Sequence, residues 1–211
     1  MNYITTIIPA YNEEKTIGDV LNVVKQAELI NEIIVVSDGS KDSTVEISQS
    51  YGVRVIDLKE NVGKGGALKK GVENSEGDIV LFLDADLIGL RVDHINSLLL
   101  PVINKECDMT IGIFSNGRFA TDLAQKVAPY LSGQRAVRKN VIKEISNMDI
   151  TRYGVEVALT RYASQNHIST KEVVLDNLTH VMKEEKLGVV KGFTERLKMY
   201  RDIAKFINFK S

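Results

Sequence analysis

The chain has 211 residues, 44% apolar and 26% charged, and its 27 Lys+Arg against 28 Asp+Glu leave a net charge of −1. That size suits one domain with a short appendage and a sizeable core, and the composition excludes disordered or collagen-like chains. The balanced charge argues against a protein whose main task is coating nucleic acid, the single Cys107 excludes an intramolecular disulfide, and no apolar run reaches the roughly 18 residues of a membrane helix.

The opening MNYITTIIPAYNEEK carries no basic leader, and Asn12, Glu13 and Glu14 cut its apolar run short. No signal peptide is expected, and the expected location is the cytoplasm. Tyr3 to Ile8 is a β-rich run. Ile17, Val20, Leu21 and Val24 mark one face of a helix over 17–27. Glu32 to Val36 is a second buried-type strand, Thr44 to Ser50 a helix, Val53 to Leu58 a strand, and Gly65 to Asn74 a helix. Asp78 to Leu83 is a fourth strand, nearly all apolar, running into Asp84-Ala85-Asp86. Near-continuous apolar strands separated by helices predict an α/β fold whose mostly parallel sheet is covered on both faces. Ligands in such sheets bind beyond the carboxyl ends of the strands.

The second half is less regular. A helix is expected over Val92 to Lys105, a strand over Met109 to Phe114, and a loop at Asn116-Gly117-Arg118. Phe119 to Tyr130 reads as helical. Ala136 and Val137 fit a short strand beginning near Gly133. Val155 to Ser164 reads as a helix, and Lys171 to His180 as one or two strands. Lys191 to Lys210 reads as an amphipathic helix; from Lys191 to Ser211 six basic face two acidic residues, net +4, which leaves −5 for the rest. That face is either a solvated docking helix or a peripheral contact with anionic lipid. His94 and His167 sit among polar neighbours and read as surface residues.

Four constellations carry chemistry. Pro9-Ala10-Tyr11-Asn12-Glu13-Glu14 lies where the first strand gives way to the first helix, where backbone amides suit a phosphate or ribose; the plainer reading is helix capping by Asn12. Ser37-Asp38-Gly39-Ser40-Lys41-Asp42-Ser43-Thr44 follows the second strand. Asp38 can accept from the imide N–H of a uracil ring, and Ser40 or Asp42 can cap the next helix; the run also fits ordinary turn chemistry. Gly63-Lys64-Gly65-Gly66 opens the third helix, so a ligand can approach its backbone and Lys64 can reach a base or phosphate; the alternative is a flexible helix start. It is not a Walker loop, because no Gly-x-x-x-x-Gly-Lys-Ser/Thr is present. Asp84 and Asp86, at i and i+2 on extended backbone, would share one face. Like charges that close call for a cation, and oxygen ligands suit Mg²⁺ or Mn²⁺.

Taken together, IIPAYNEE, VVSDGSKDST, NVGKGGALKKG and DIVLFLDADL resemble the nucleotide-sugar half of the family-2 glycosyltransferases of the GT-A fold, in order and spacing as well as residues. The resemblance implies a Rossmann-like sheet flanked by helices. It implies that Pro9, Ala10, Tyr11, Asn12 and Glu13 border the nucleotide, that Asp38 reads the base, and that Lys64 lies near base or phosphate. Asp84, with Ala85 beside it, would contact ribose or the metal shell, and Asp86 would coordinate the cation. Ser37 stands where many members carry a second aspartate.

The second half, in Asn116-Gly117-Arg118, Leu131 to Ala136, Tyr153-Gly154-Val155-Glu156 and Thr179-His180, looks like the acceptor side of glucosyl-3-phosphoglycerate synthases. The run Ser132 to Ala136, SGQRA, is also similar to the acceptor segment of polyprenyl-phosphate glycosyltransferases. By that similarity Glu156 faces the acceptor as a catalytic group alongside Asp86, and His180 is a further metal ligand. Gly117, Arg118, Gly133 and Tyr153 would border the acceptor, with Arg118 holding its phosphate or carboxylate. The implied organisation is a GT-A domain over 1–190, divided into a nucleotide-sugar half (1–90) and an acceptor half (91–190), followed by a basic amphipathic helix over 191–211. The expected activity is metal-dependent transfer of a sugar from a UDP- or GDP-sugar to a small phosphorylated acceptor such as a phosphoglycerate. The alternatives are transfer to a polyprenyl phosphate at the inner face of the membrane, and a non-catalytic nucleotide-sugar binder. Expected partners are the donor and a phosphorylated or lipid-phosphate acceptor, with no nucleic acid; peripheral membrane contact through 191–211 and a homodimer are both compatible with the sequence.

Overall fold

A computed structural model describes residues 2–115, 132–145 and 155–180. The chain divides into two units, Met1–Thr179 and His180–Ser211. The first unit begins with β1 (Ile4–Ala10), α1 (Ile17–Val24), β2 (Glu32–Ser37), α2 (Thr44–Ser50), β3 (Arg54–Asp57) and α3 (Gly63–Asn74). There follow β4 (Ile79–Phe82), β5 (Leu87–Ile88), α4 (Val92–Ile103), β6 (Met109–Phe114) and β7 (Arg135–Arg138). Helices over Lys139–Ile145 and Val155–Gln165 precede β8 (Thr170–Leu175) and β9 (Thr179–His180).

Seven strands form one sheet in the order β3-β2-β1-β4-β7-β6-β8. All neighbours are parallel except at β7, which runs antiparallel to both β4 and β6. The mostly parallel α/β sheet read from the sequence is therefore correct, with one reversed strand that no local pattern announced. Alternation along β4 divides the core. Ile79 and Leu81 face α1 and α4 with Val20, Leu21, Ile95 and Leu98, whereas Val80 and Phe82 face the other layer with Ala67, Leu68, Val141 and Leu159. All these side chains are buried, so truncating a single leucine would cost about 2–5 kcal/mol.

Several boundaries shift for local reasons. α1 stops at Val24, and the chain tightens through Gln26 N–H to Val23 O and Ala27 N–H to Val24 O, which keeps Ala27 buried. α3 starts at Gly63, two residues before the expected start, and Gly63 itself takes a left-handed φ of +81°, which glycine adopts without steric cost. Its close seat on the sheet depends on Gly71, where a Cβ would stand 2.4 Å from Ile7 Cγ2.

His94 corrects the surface reading. It is buried at 3% exposure, its Nδ1 accepts the Arg91 N–H at 3.3 Å, and its Nε2 donates to the Asp176 carbonyl at 3.0 Å. The Arg91 guanidinium reaches the same carbonyl at 3.2 Å. Gly89 completes the contact, since a Cβ there would meet the Asn177 carbonyl at 2.6 Å. Local polarity misled because His94 satisfies both ring nitrogens on backbone groups. His167 is exposed, as its polar setting suggests.

Candidate active site

The order β2-β1-β4 makes a switch point. The chain leaves β1 towards β2 and β3, then returns through α3 to the other side of β1. Pairing of β1 with β4 ends at Ile7–Phe82, followed by Leu83 N–H to Ile7 O, while pairing with β2 continues to Ala10–Ser37. Pro9 therefore lacks an N–H where β4 has already parted from β1, and the missing donor breaks no ladder bond. The turns after β1, β2 and β4 all open at this end.

The first two turns are laced together. Asn12 takes a left-handed φ of 56°, donates its N–H to Ser40 Oγ at 3.2 Å, and accepts the Lys41 N–H on Oδ1 at 2.7 Å. Glu13 N–H donates to Thr44 Oγ1 at 2.8 Å and Glu14 N–H to Asp42 Oδ2 at 3.1 Å. Asn12 is thus not the cap of α1, whose N-cap is Thr16; it ties one turn to the next. Asp42 accepts from both the N–H and the hydroxyl of Thr44, the first residue of α2, but the N-cap of that helix is Ser43, not Ser40 or Asp42. Burial alone would raise its pKa, but the Thr44 hydroxyl and the backbone donors outweigh it, and the net shift is downward. Tyr11, half exposed at 48%, stands beside this lacing.

Asp38 is buried behind the second turn. Its N–H extends the β1–β2 ladder to Ala10 O, and its Oδ1 accepts the Val62 N–H at 2.7 Å. Gly39, at φ +72°, passes so close to Glu60 and Asn61 that a Cβ would be 3.0 Å from Asn61 N. One carboxylate thereby links the end of β2 to the start of α3.

The third group centres on Asp84. β4 ends at Phe82, and Ala85 and Asp86 lie in a turn. The extended-backbone argument for the two carboxylates therefore does not hold; both remain partly exposed, Asp84 before the turn and Asp86 within it. Lys64 Nζ lies 2.6 Å from Asp84 Oδ1, and Gln134 Nε2 donates to Oδ2 at 2.9 Å. Because β7 runs antiparallel with Phe82 opposite Arg135, two further steps set Gly133 beside Asp84. A Cβ on Gly133 would stand 2.7 Å from both Asp84 oxygens and from Lys64 Nζ. The preceding bend is held by Arg135, fully buried, whose Nε–H donates to Ser132 O at 2.9 Å.

The sequence-derived residues Pro9, Ala10, Tyr11, Asn12, Glu13, Asp38, Lys64, Asp84, Ala85, Asp86 and Gly133 thus lie at one end of the sheet, in the last residues of β1, the segments after β1, β2 and β4, the first turn of α3 and the segment before β7. Gly117, Arg118 and Tyr153 lie outside the described residues, as do the helices expected over Phe119 to Tyr130 and Lys191 to Lys210. Glu156 is the second residue of the helix Val155–Gln165, and its side chain is likewise outside the description. His180 is the first residue of the second unit and is exposed. Gln134 and Val62 were not singled out from the sequence. Gln134 stood inside the quoted SGQRA run, but only the β4–β7 register reveals its partner.

Among the described residues no group of three His, Cys, Asp or Glu side chains is placed to hold a metal. The donor chemistry nonetheless suits Mg²⁺ or Mn²⁺. These ions are commonly bound through one or two carboxylates, with phosphate oxygens and water filling the remaining positions. No helix among the described residues is long and apolar enough to cross a membrane.

Comparison with known proteins agrees with this architecture. The model of the family described as glycosyl transferase family 2 matches residues 5–158. The chain belongs to that family, and its sheet and flanking helices have the GT-A arrangement. Among solved structures, glucosyl-3-phosphoglycerate synthase from Mycobacterium tuberculosis with Mn²⁺, UDP and phosphoglyceric acid superposes with a TM-score of 0.74 at 26% identity, over 89% of this chain and 74% of that one. The same enzyme with Mn²⁺, UDP-glucose and phosphoglyceric acid gives 0.72 at 27% identity, over 85% and 72%. It has also been crystallised with Mg²⁺ and UDP. A 4,4'-diaponeurosporenoate glycosyltransferase from Staphylococcus aureus is 38% identical over 101 residues, which are 46% of this chain and 27% of that protein. The matched stretch thus spans about a quarter of that relative's length.

Proposed function

We propose that this protein transfers a sugar from a nucleoside diphosphate sugar, UDP- or GDP-linked, to a small phosphorylated acceptor of the phosphoglycerate kind, using Mg²⁺ or Mn²⁺. The observation that carries the reading is the Lys64–Asp84 pair two residues from Asp86, at the switch point of a family-2 sheet. It supplies a cation for a diphosphate and carboxylates for a ribose and a metal in one place.

In this reading Pro9, Ala10, Tyr11, Asn12 and Glu13 border the nucleotide. Asp38, with one oxygen taken by Val62 N–H, offers the other to the imide N–H of the base. Asp84 and Ala85 take the ribose side, and Lys64 turns its ammonium to the diphosphate. Asp86 and His180 are the groups that would hold the cation. When bound, that cation supplies Lewis-acid stabilisation of the charge on the departing diphosphate. The bond between the anomeric carbon and the β-phosphate oxygen breaks, and a new one forms to the acceptor oxygen. If configuration inverts at a hydroxyl acceptor, Glu156 accepts its proton; if configuration is retained, Glu156 positions the acceptor. Gly117, Arg118, Gly133 and Tyr153 border that acceptor, and Arg118 pairs with its anionic group. The division into a nucleotide-sugar half over 1–90, an acceptor half over 91–190 and a basic tail over 191–211 belongs to the same proposal, as does a cytoplasmic location.

A second reading has its own support. The S. aureus relative is named for glycosylation of a diaponeurosporenoate, the SGQRA run resembles polyprenyl-phosphate enzymes, and the tail carries net +4. Here the acceptor is a lipid at a membrane surface. Mass spectrometry of products from nucleotide sugars crossed with phosphorylated acceptors tests both. A glycosylated phosphoglycerate supports the first reading, and product formed only with lipid acceptors in vesicles supports the second. Nucleotide-sugar binding with neither product would leave a non-catalytic binder.

A further inference from the structure

Gln134 has no part in the roles above, yet it is almost fully buried, at 1% exposure, with its carboxamide aimed at the site. We propose that Gln134 is a positioning residue for the donor nucleotide: it sets the orientation of the Asp84 carboxylate. The inference rests on the reading that this cleft binds a nucleoside diphosphate.

The geometry is that of a carboxylate held from both sides. Lys64 Nζ occupies Asp84 Oδ1 at 2.6 Å, and Gln134 Nε2–H occupies Oδ2 at 2.9 Å. Two donors on different oxygens define the rotation about the Cβ–Cγ bond. A carboxylate has about four lone-pair directions, so the orientation set by these two donors also sets how it presents itself to a ligand hydroxyl or a cation. The amide itself is held in one orientation. The Ser132 hydroxyl donates to Gln134 Oε1 at 3.3 Å, and a flipped amide would set its oxygen against an anionic oxygen. The backbone is anchored too: Gln134 O accepts the Gly112 N–H at 2.8 Å, and a Cβ on Gly112 would stand 3.3 Å from that oxygen. A donor this buried is not readily replaced by water, so its removal takes one of the bonds that orient the Asp84 carboxylate.

The test titrates UDP and GDP, each with Mn²⁺, into the full-length protein by calorimetry, with thermal unfolding alongside. The variants are Gln134→Met, which keeps volume but loses the donor, and Gln134→Glu, which sets a second carboxylate against Asp84. Loss of one charge-assisted hydrogen bond predicts about tenfold weaker nucleotide binding for Gln134→Met, and the introduced repulsion about 100-fold for Gln134→Glu. The decisive arm is the pair Asp84→Ala and Asp84→Ala/Gln134→Met. If Gln134 acts through Asp84, Gln134→Met costs less than about twofold in the Ala background. Equal loss in both backgrounds, or wild-type affinity in Gln134→Met, overturns the proposal while leaving the donor site standing. Failure of the wild-type protein to bind either nucleotide overturns the functional reading beneath it. Should Gln134→Met not fold, Ser132→Ala carries the test, with about threefold weaker binding expected from the freed amide; no loss there overturns the proposal.

Discussion

Lys64 Nζ and Asp84 Oδ1 lie 2.6 Å apart, which joins the first turn of α3 to the end of β4 across the switch point. Neither side chain is deeply buried, at 41% and 25% exposure, so the pair adds little stability on its own. Its consequence is placement, since a cation and a carboxylate stand at the mouth of the sheet in one geometry. Gly133 makes that geometry possible by presenting bare backbone.

Gly133→Ala should therefore damage the site more than the fold. Its Cβ would meet three charged atoms at 2.7 Å, and the Lys64–Asp84 pair would have to separate. Nucleotide affinity should fall by tenfold or more, with about 1–3 kcal/mol lost from stability. Calorimetric titration of UDP and GDP with Mn²⁺, beside thermal melts, checks both; unchanged affinity would contradict the close approach.

Gly71→Ala should do the reverse. The added methyl would press on Ile7 Cγ2 at 2.4 Å, lifting α3 from β1. Overpacking of this kind costs about 1–3 kcal/mol, which for a domain this size lowers Tm by about 2–12 °C. Calorimetric melting measures it, and an unshifted Tm would mean that α3 does not lie this close to the sheet.

Stability should decline on mild acidification. Burial first, and then the Arg91 charge, hold the His94 imidazole below its ordinary pKa, opposed by Asp93 and Asp176. The unfolded chain takes up that proton near pH 6.5, while the folded chain takes it up only at lower pH. Between the two the unfolded state binds more protons, so the His94 contribution is complete above about pH 6.5 and is lost as pH falls towards the folded pKa. Asp42, also shifted downward, adds a similar loss in a more acid range. Tm measured from pH 7.5 to 5 should fall for the wild type. In His94→Gln, Tm should start lower by the equivalent of about 1–3 kcal/mol and vary less with pH. Parallel profiles would remove His94 as the cause.

Asp86→Asn should abolish the dependence of nucleotide binding on Mn²⁺ and lower product formation by about 100-fold or more. Product formation across a Mn²⁺ series decides it. Full turnover in this variant would mean that Asp86 does not hold the cation.

The layers of this fold were legible in the amino-acid order, because each is a local pattern. Ile17, Val20, Leu21 and Val24 repeat at helical spacing, and the unbroken Ile79–Phe82 run suits a strand covered on both faces. The strand-end turns could be read in the same way, since Asn12, Gly39 and Gly63 all adopt positive φ, which few residues tolerate. Tertiary structure alone decided the rest. The reversal of β7 brings Gln134 to Asp84 across 50 positions of sequence and puts Gly133 against the ion pair. The same holds for His94, whose partner carbonyl at Asp176 lies 82 positions away. Register between distant strands, and burial of a polar ring on a remote carbonyl, arise from long-range pairing, for which no neighbouring residue carries a signal.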